Sequence, residues 1–130
     1  IYVRDSGLLH RLLGIDTERA LLTHPRVGAF WEGFAIEQVL AAEPHDEAFF
    51  WATHQGAESD LILRRGGDLY GVECKRADAP RITPSIRNAL NDAGLVRVAV
   101  LYPGAQRFQL SDRVEVVPLS ALSRGEALFP

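Results

Sequence analysis

The chain has 130 residues, 47% of them hydrophobic and 24% charged, with a net charge of −3 and one cysteine, Cys74. This is room for one packed core rather than two ordinary domains, and the composition is that of a globular protein. The lone thiol excludes an internal disulfide, no apolar run reaches the roughly 18 residues of a membrane span, and the acidic balance excludes a uniformly basic nucleic-acid footprint. A reducing cytoplasmic setting without a membrane partner is expected. Because the chain opens on Ile1 and lacks methionine, it is also expected to be a piece of something longer.

Residues 4–15, RDSGLLHRLLGI, predict a short amphipathic helix with Leu8, Leu9, Leu12 and Leu13 at helical spacing. Residues 23–44, THPRVGAFWEGFAIEQVLAAEP, predict a longer one. Thr23 or His24 would cap it, Pro25 suits its first turn and Pro44 ends it. It is apolar almost all round, so it is expected to be largely buried. EAFFWATH and SDLILRR then read as strands, and DLYGVECKRA as a third, joined to the second through the hairpin signal Gly66-Gly67. TPSIRNALNDAG is a helix with Thr83 as cap, Pro84 in the first turn and Gly94 past the end. VRVAVLYPG is a buried strand, and VEVVPLS an edge strand that tolerates Pro118. Together these elements predict a single α/β domain over residues 1–130, a mixed β-sheet flanked by helices.

In the third strand, alternation puts Glu73 and Lys75 on one face and Val72 and Cys74 on the other. A symmetric hairpin pairs residues whose numbers sum to 133, which sets Leu61 against Val72 and Asp60 against Glu73. Two carboxylates so placed repel unless a proton or a cation lies between them. Oxygen ligands with room for water suit Mg2+ (or Mn2+), and Lys75 would neutralise part of the charge and orient a bound water. The long helix offers a third carboxylate, Glu32 or Glu37, each with the alternative of reaching solvent at the edge of the apolar face. Arg76, Arg81 and Arg87 follow the strand closely and are the candidates for holding phosphates, although each read singly is equally a solvated rim charge.

Asp60, twelve intervening residues and Glu73-Cys74-Lys75 resemble the D…E-x-K signature of the PD-(D/E)XK nuclease superfamily. The segment GAFWEGFAIEQVL resembles the first helix of the archaeal Holliday-junction resolvases of that superfamily. On this match Glu32 takes the role of the helix glutamate and Glu37 a supporting one. The superfamily name has proline where this chain has Ser59. Over nearly its whole length, through DSGLLHRLLGI, HPRVGAFWEGFAIEQ, FFWATHQGAESDLIL, GVECKRADAPRITPSIRNAL and LYPG, the chain is also similar to the C-terminal domain attached to many bacterial AAA+ ATPases. The two resemblances imply a restriction-endonuclease-like core and a Mg2+-dependent nuclease-like domain acting on DNA. Catalytic residues would be Glu32, Asp60, Glu73 and Lys75, the metal being held by the three carboxylates. They also imply an upstream AAA+ ATPase domain as partner, and no G-x-x-x-x-G-K-[ST] phosphate loop occurs here. The alternative is a non-catalytic DNA- or protein-binding module that regulates that ATPase. Oligomeric state and DNA against RNA stay open.

His10, His24, His45 and His54 match no zinc spacing with Cys74 and are expected at the surface or in caps. Trp31 and Trp51 lie in apolar runs and are expected in the core rather than as base-stacking platforms.

Overall fold

A computed structural model describes residues 5–56 and 58–130. The first residues of the predicted opening helix, up to Arg4, lie outside them. Three helices come first, α1 (Ser6–Leu12), α2 (Glu18–Leu22) and α3 (Val27–Ala42), followed by three strands, β1 (Glu47–Ala52), β2 (Glu58–Arg65) and β3 (Asp68–Cys74). Then come α4 (Pro84–Asp92), β4 (Arg97–Tyr102), β5 (Phe108–Ser111), β6 (Val114–Pro118) and the one-turn α5 (Ser120–Ser123). The six strands form one sheet in the order β1-β2-β3-β4-β6-β5. Pairing is antiparallel at β1/β2, β2/β3 and β5/β6 and parallel at β3/β4 and β4/β6. The mixed α/β sheet expected from the sequence is therefore present.

The β2–β3 hairpin turns on Gly66 and Gly67, whose φ values of 60° and 98° fit the two left-handed positions of a tight hairpin turn. Its register runs from Arg65↔Asp68 to Leu61↔Val72, as the symmetric reading requires. One face of the sheet, carrying Leu61, Leu63, Val72, Cys74, Ala99, Leu101 and Val117, packs against Ala35, Ile36 and Val39 of α3 and against Leu128 and Phe129. The other, carrying Ile62, Val98, Val100, Tyr102, Val114 and Val116, packs against Ile86 and Ala89 of α4. Thr83 caps α4 by accepting from the Ile86 N–H at 3.3 Å, with Pro84 at the first helical position.

Four expectations are corrected. The long helix begins at Val27, not at Thr23 or Pro25, and Arg26 is its cap residue with no side-chain cap bond. His24 instead accepts the Arg26 N–H at 3.1 Å in a separate turn. That helix is also less buried than expected: Phe30, Ala35, Ile36 and Val39 are buried, but Phe34 is 42% exposed because the sheet covers only one side. VEVVPLS is no edge strand, since β6 lies between β4 and β5; Pro118 pairs with Tyr102 at the last rung, where the chain turns into α5. Two elements, α2 and the edge strand β5, were not expected at all.

Candidate metal centre

The parallel strands β3 and β4 end side by side at Cys74↔Leu101, and the carboxyl ends of parallel strands are where α/β sheets open to ligands. At this end β2 parts from β3. Between Phe49↔Ile62 and Trp51↔Ser59 the β1–β2 register shifts by one, so Asp60 and Leu61 together oppose Phe50. Such a bulge breaks strict alternation and re-aims a side chain. Asp60 and Glu73 are consequently not the ladder pair that hairpin symmetry predicts. Instead Asp60 turns its carboxylate across the gap, where Oδ2 accepts the Cys74 N–H at 2.7 Å in place of a strand carbonyl.

This small displacement decides the electrostatics. Asp60 now feels the charge of Glu32 from α3 as well as that of Lys75. Its carboxyl is raised from an ordinary 3.8 to about 6, chiefly by burial and then by Glu32, against the Cys74 N–H and Lys75, which favour the ionised form. Glu73 is deeper, 3% exposed, and its Oε1 has no hydrogen-bond partner among the described residues. Burial first, and Asp60 second, push its carboxyl from 4.5 up to about 8. The Lys75 ammonium stands 3.9 Å from Glu73 Oε2 and pulls the other way, as does the buried Ser59 hydroxyl. The Cys74 thiol is raised by burial and by the same three carboxylates, so it stays protonated and unreactive.

Glu32, Asp60, Glu73 and Lys75, the four residues singled out from the sequence, thus meet at one place. Glu37 does not join them: five residues beyond Glu32, it is rotated by about 140° around the helix. Arg76, Arg81 and Arg87 are all exposed and form no ion pair among the described residues. The effect of the Ser59 hydroxyl on Glu73 is not among the expectations drawn from the sequence. The place of Ser59 beside Asp60, just where the strand is distorted, is a signal visible only once the bulge is known. Of the histidines, His10 departs from expectation, since its Nε2 is buried and its ring packs edge-on against Phe30.

Among the described residues, no three Asp, Glu, His or Cys side chains are grouped so as to hold a metal ion together. Mg2+ does not ask for three, since it keeps several waters and takes one or two carboxylates. Asp60 and Glu73 fit that demand: both are largely desolvated, the charge of Asp60 raises the proton affinity of Glu73, and a divalent cation would relieve both at once.

A family model described as "Domain of unknown function (DUF4143)" matches residues 27–122. Among curated proteins, the uncharacterized proteins Rv2008c of Mycobacterium tuberculosis and Mb2031c of Mycobacterium bovis are each 51% identical over 118 residues, which is 91% of this chain. The chain spans 27% of the length of those relatives. No solved structure matches. No helix among the described residues is long and apolar enough to cross a membrane.

Proposed function

We propose that this chain, which belongs to the DUF4143 family, is a PD-(D/E)XK-type nuclease domain with a restriction-endonuclease-like core that hydrolyses nucleic-acid phosphodiesters with Mg2+ or Mn2+. The observation that carries the reading is the pair of raised carboxylates, Glu73 at the carboxyl end of β3 and Asp60 beside it near the start of β2, with Lys75 alongside. Asp60 and Glu73 would hold the metal, with the charge of Glu32 acting on Asp60 from α3. When bound, the metal supplies Lewis acidity at the phosphoryl oxygen and lowers the pKa of a bound water. The Lys75 ammonium, on a side chain 40% exposed and anchored through its backbone N–H to Leu101 O at 2.8 Å, orients the attacking water and stabilises charge developing on the phosphoryl group. Arg76, next along the chain, holds a neighbouring phosphate.

The test uses the full-length protein, because the chain covers a minor share of its relatives. Single- and double-stranded DNA and RNA are incubated with Mg2+, Mn2+ or EDTA. Cleavage is expected only with metal, and should vanish in Glu73→Ala and Lys75→Ala with circular dichroism unchanged. Metal-independent cleavage, or cleavage that survives both substitutions, would overturn the assignment.

A second reading is favoured by a different observation. Leu8, Leu12, Leu13 and Leu22 of the α1–α2 region are 48–70% exposed, a patch that suits a docking surface. In that reading the domain is a non-catalytic module that packs on a neighbouring AAA+ ATPase and regulates it. A protein that binds DNA or modulates ATP hydrolysis while cutting no nucleic acid, even with ATP present, would favour it.

A further inference from the structure

A cavity of about 400 Å³ opens among α1, α2 and α3, walled by His10, Leu21, Phe30, Trp31 and Phe34, with Arg76 at its side. Its volume lies within the usual range of small-molecule sites. The walls are aromatic on several sides, and His10 meets Phe30 edge-on at 5.3 Å. Trp31 is half-buried and packs against the core, as the sequence led one to expect, while also lining the cavity, and Phe34 is 42% exposed. One buried ring nitrogen, His10 Nε2, has no partner among the described residues.

The cavity and the carboxylate site draw neighbouring residues from the same two stretches of chain. Trp31 directly precedes Glu32, and Arg76 directly follows Lys75. An occupant is therefore required to offer a flat apolar face to the rings and a negative charge to Arg76. A hydrocarbon chain or an apolar peptide side chain supplies the first and leaves the second unmet. A nucleotide supplies both, since every base has a π-face and every nucleotide carries a phosphate. A base inside a duplex presents no free face, so the base has to be unstacked.

We propose that this cavity receives one unstacked base of a nucleic-acid strand, with Arg76 on the adjoining phosphate, which makes single-stranded or locally opened nucleic acid the substrate class. The position of that base relative to the cleaved bond rests on the nuclease reading; the binding of the base does not.

The test is a thermodynamic cycle between Phe34 and the base, in full-length protein carrying Glu73→Gln so that cleavage does not intervene. Phe34 is exposed enough that Phe34→Ala leaves the core intact, and Phe34→Trp serves as a rescue. The probe is a short single-stranded DNA, labelled for fluorescence anisotropy, with an abasic position moved along it one nucleotide at a time. Phe34→Ala is expected to weaken binding of the intact strand on the order of tenfold, the scale of one lost base–aromatic stack, and Phe34→Trp to restore it. At one abasic position the same substitution should have almost no effect. Arg76→Ala should reduce the salt dependence by about one phosphate contact. A blunt duplex should bind at least several-fold more weakly than the single strand.

If the effect of Phe34→Ala is equal at every abasic position, the pocket takes no base and the proposal fails. If Phe34→Ala leaves strand binding untouched but lowers the melting temperature of the full-length chain, the pocket is filled by polypeptide and the proposal fails likewise. Metal-dependent cleavage by the unsubstituted protein together with a flat cycle overturns the pocket alone. A positive cycle in a protein that never cleaves overturns the nuclease reading alone, and no binding of any strand overturns both.

Discussion

Replacing Glu73 with glutamine should flatten the pH dependence of stability. In the native state burial and Asp60 raise this carboxyl from 4.5 to about 8, whereas in the unfolded chain it ionises near its ordinary value. Between those two values the native state keeps a proton that the unfolded state has lost, so stability falls as pH rises through the window and levels off above it. At 1.36 kcal/mol per unit the shift sets a ceiling of about 5 kcal/mol. Sharing of the proton with Asp60 lowers that ceiling, and we expect a loss of about 2–4 kcal/mol between pH 5 and pH 9. Glutamine has the shape of the protonated acid and never ionises. The variant should therefore lie within about 1 kcal/mol of the unsubstituted chain at pH 5 and be the more stable by about 2–4 kcal/mol at pH 9. A smaller slope persists in it, because Asp60, raised from 3.8 to about 6, still titrates. Urea unfolding in EDTA from pH 5 to pH 9, with the m-value monitored, measures this directly. Parallel curves for the two proteins would refute the reasoning. So would a variant that is less stable at pH 9, since Glu73 would then be an ionised, satisfied partner of Lys75.

Three further outcomes are expected. Asp60→Asn keeps an acceptor for the Cys74 N–H and removes the charge facing Glu32, so without metal it should stabilise the chain by about 1 kcal/mol at pH 7 and abolish most of the melting-temperature rise given by millimolar Mg2+ or Mn2+. Because a metal must displace the carboxyl protons, that rise in the unsubstituted chain should be larger at pH 8 than at pH 6, as thermal melts with and without metal will show. Glu43→Ala should cost about 2–4 kcal/mol in chemical denaturation: Glu43 is 4% exposed and accepts the Leu128 N–H beside Arg65, which itself binds Pro130 O at 2.7 Å, so the loss unpins the C-terminal segment.

Much of this arrangement is legible in the residues themselves. Gly66-Gly67 sets the hairpin and its register, and E-x-K alternation places Glu73 and Lys75 together. What alternation cannot show is an extra residue in one strand. The bulge opposite Phe50 depends on how β1 lies against β2, a contact between segments that carry no mark of it, and it moves Asp60 from a ladder position to a bridge between Glu32 and Cys74. The missed elements are short for the same reason. The five residues of α2 and the four of β5 are too few to display a period, and they hold their form through neighbours: α2 through its Thr17 cap, β5 through pairing with β6. Pro118 misled in the opposite direction, because a proline suits the last rung of an inner strand as well as an edge.

Two buried glutamates in the same fold stand in contrast. Glu43 accepts the Leu128 N–H through one oxygen and stands near the Arg65 guanidinium through the other, and its service is plain: it ties the C-terminal segment to the end of α3. Glu73 faces Asp60, a second carboxylate; each glutamate keeps one buried oxygen without a hydrogen bond among the described residues, so the charged neighbour is what tells them apart. For stability alone an apolar residue of similar volume would serve at least as well at position 73, since even paired buried charges are often replaced by hydrophobic ones without loss. The β2–β3 hairpin even provides the means to avoid the conflict, because continuing its ladder one rung further would have satisfied Cys74 without Asp60. The chain instead bulges at Asp60, brings the two acids together and sets a lysine beside them. The bulge and the paired acids both cost stability, and in the proposed metal site a cation would reverse that cost when it binds, which is why the metal dependence of stability is the measurement on which the proposal stands.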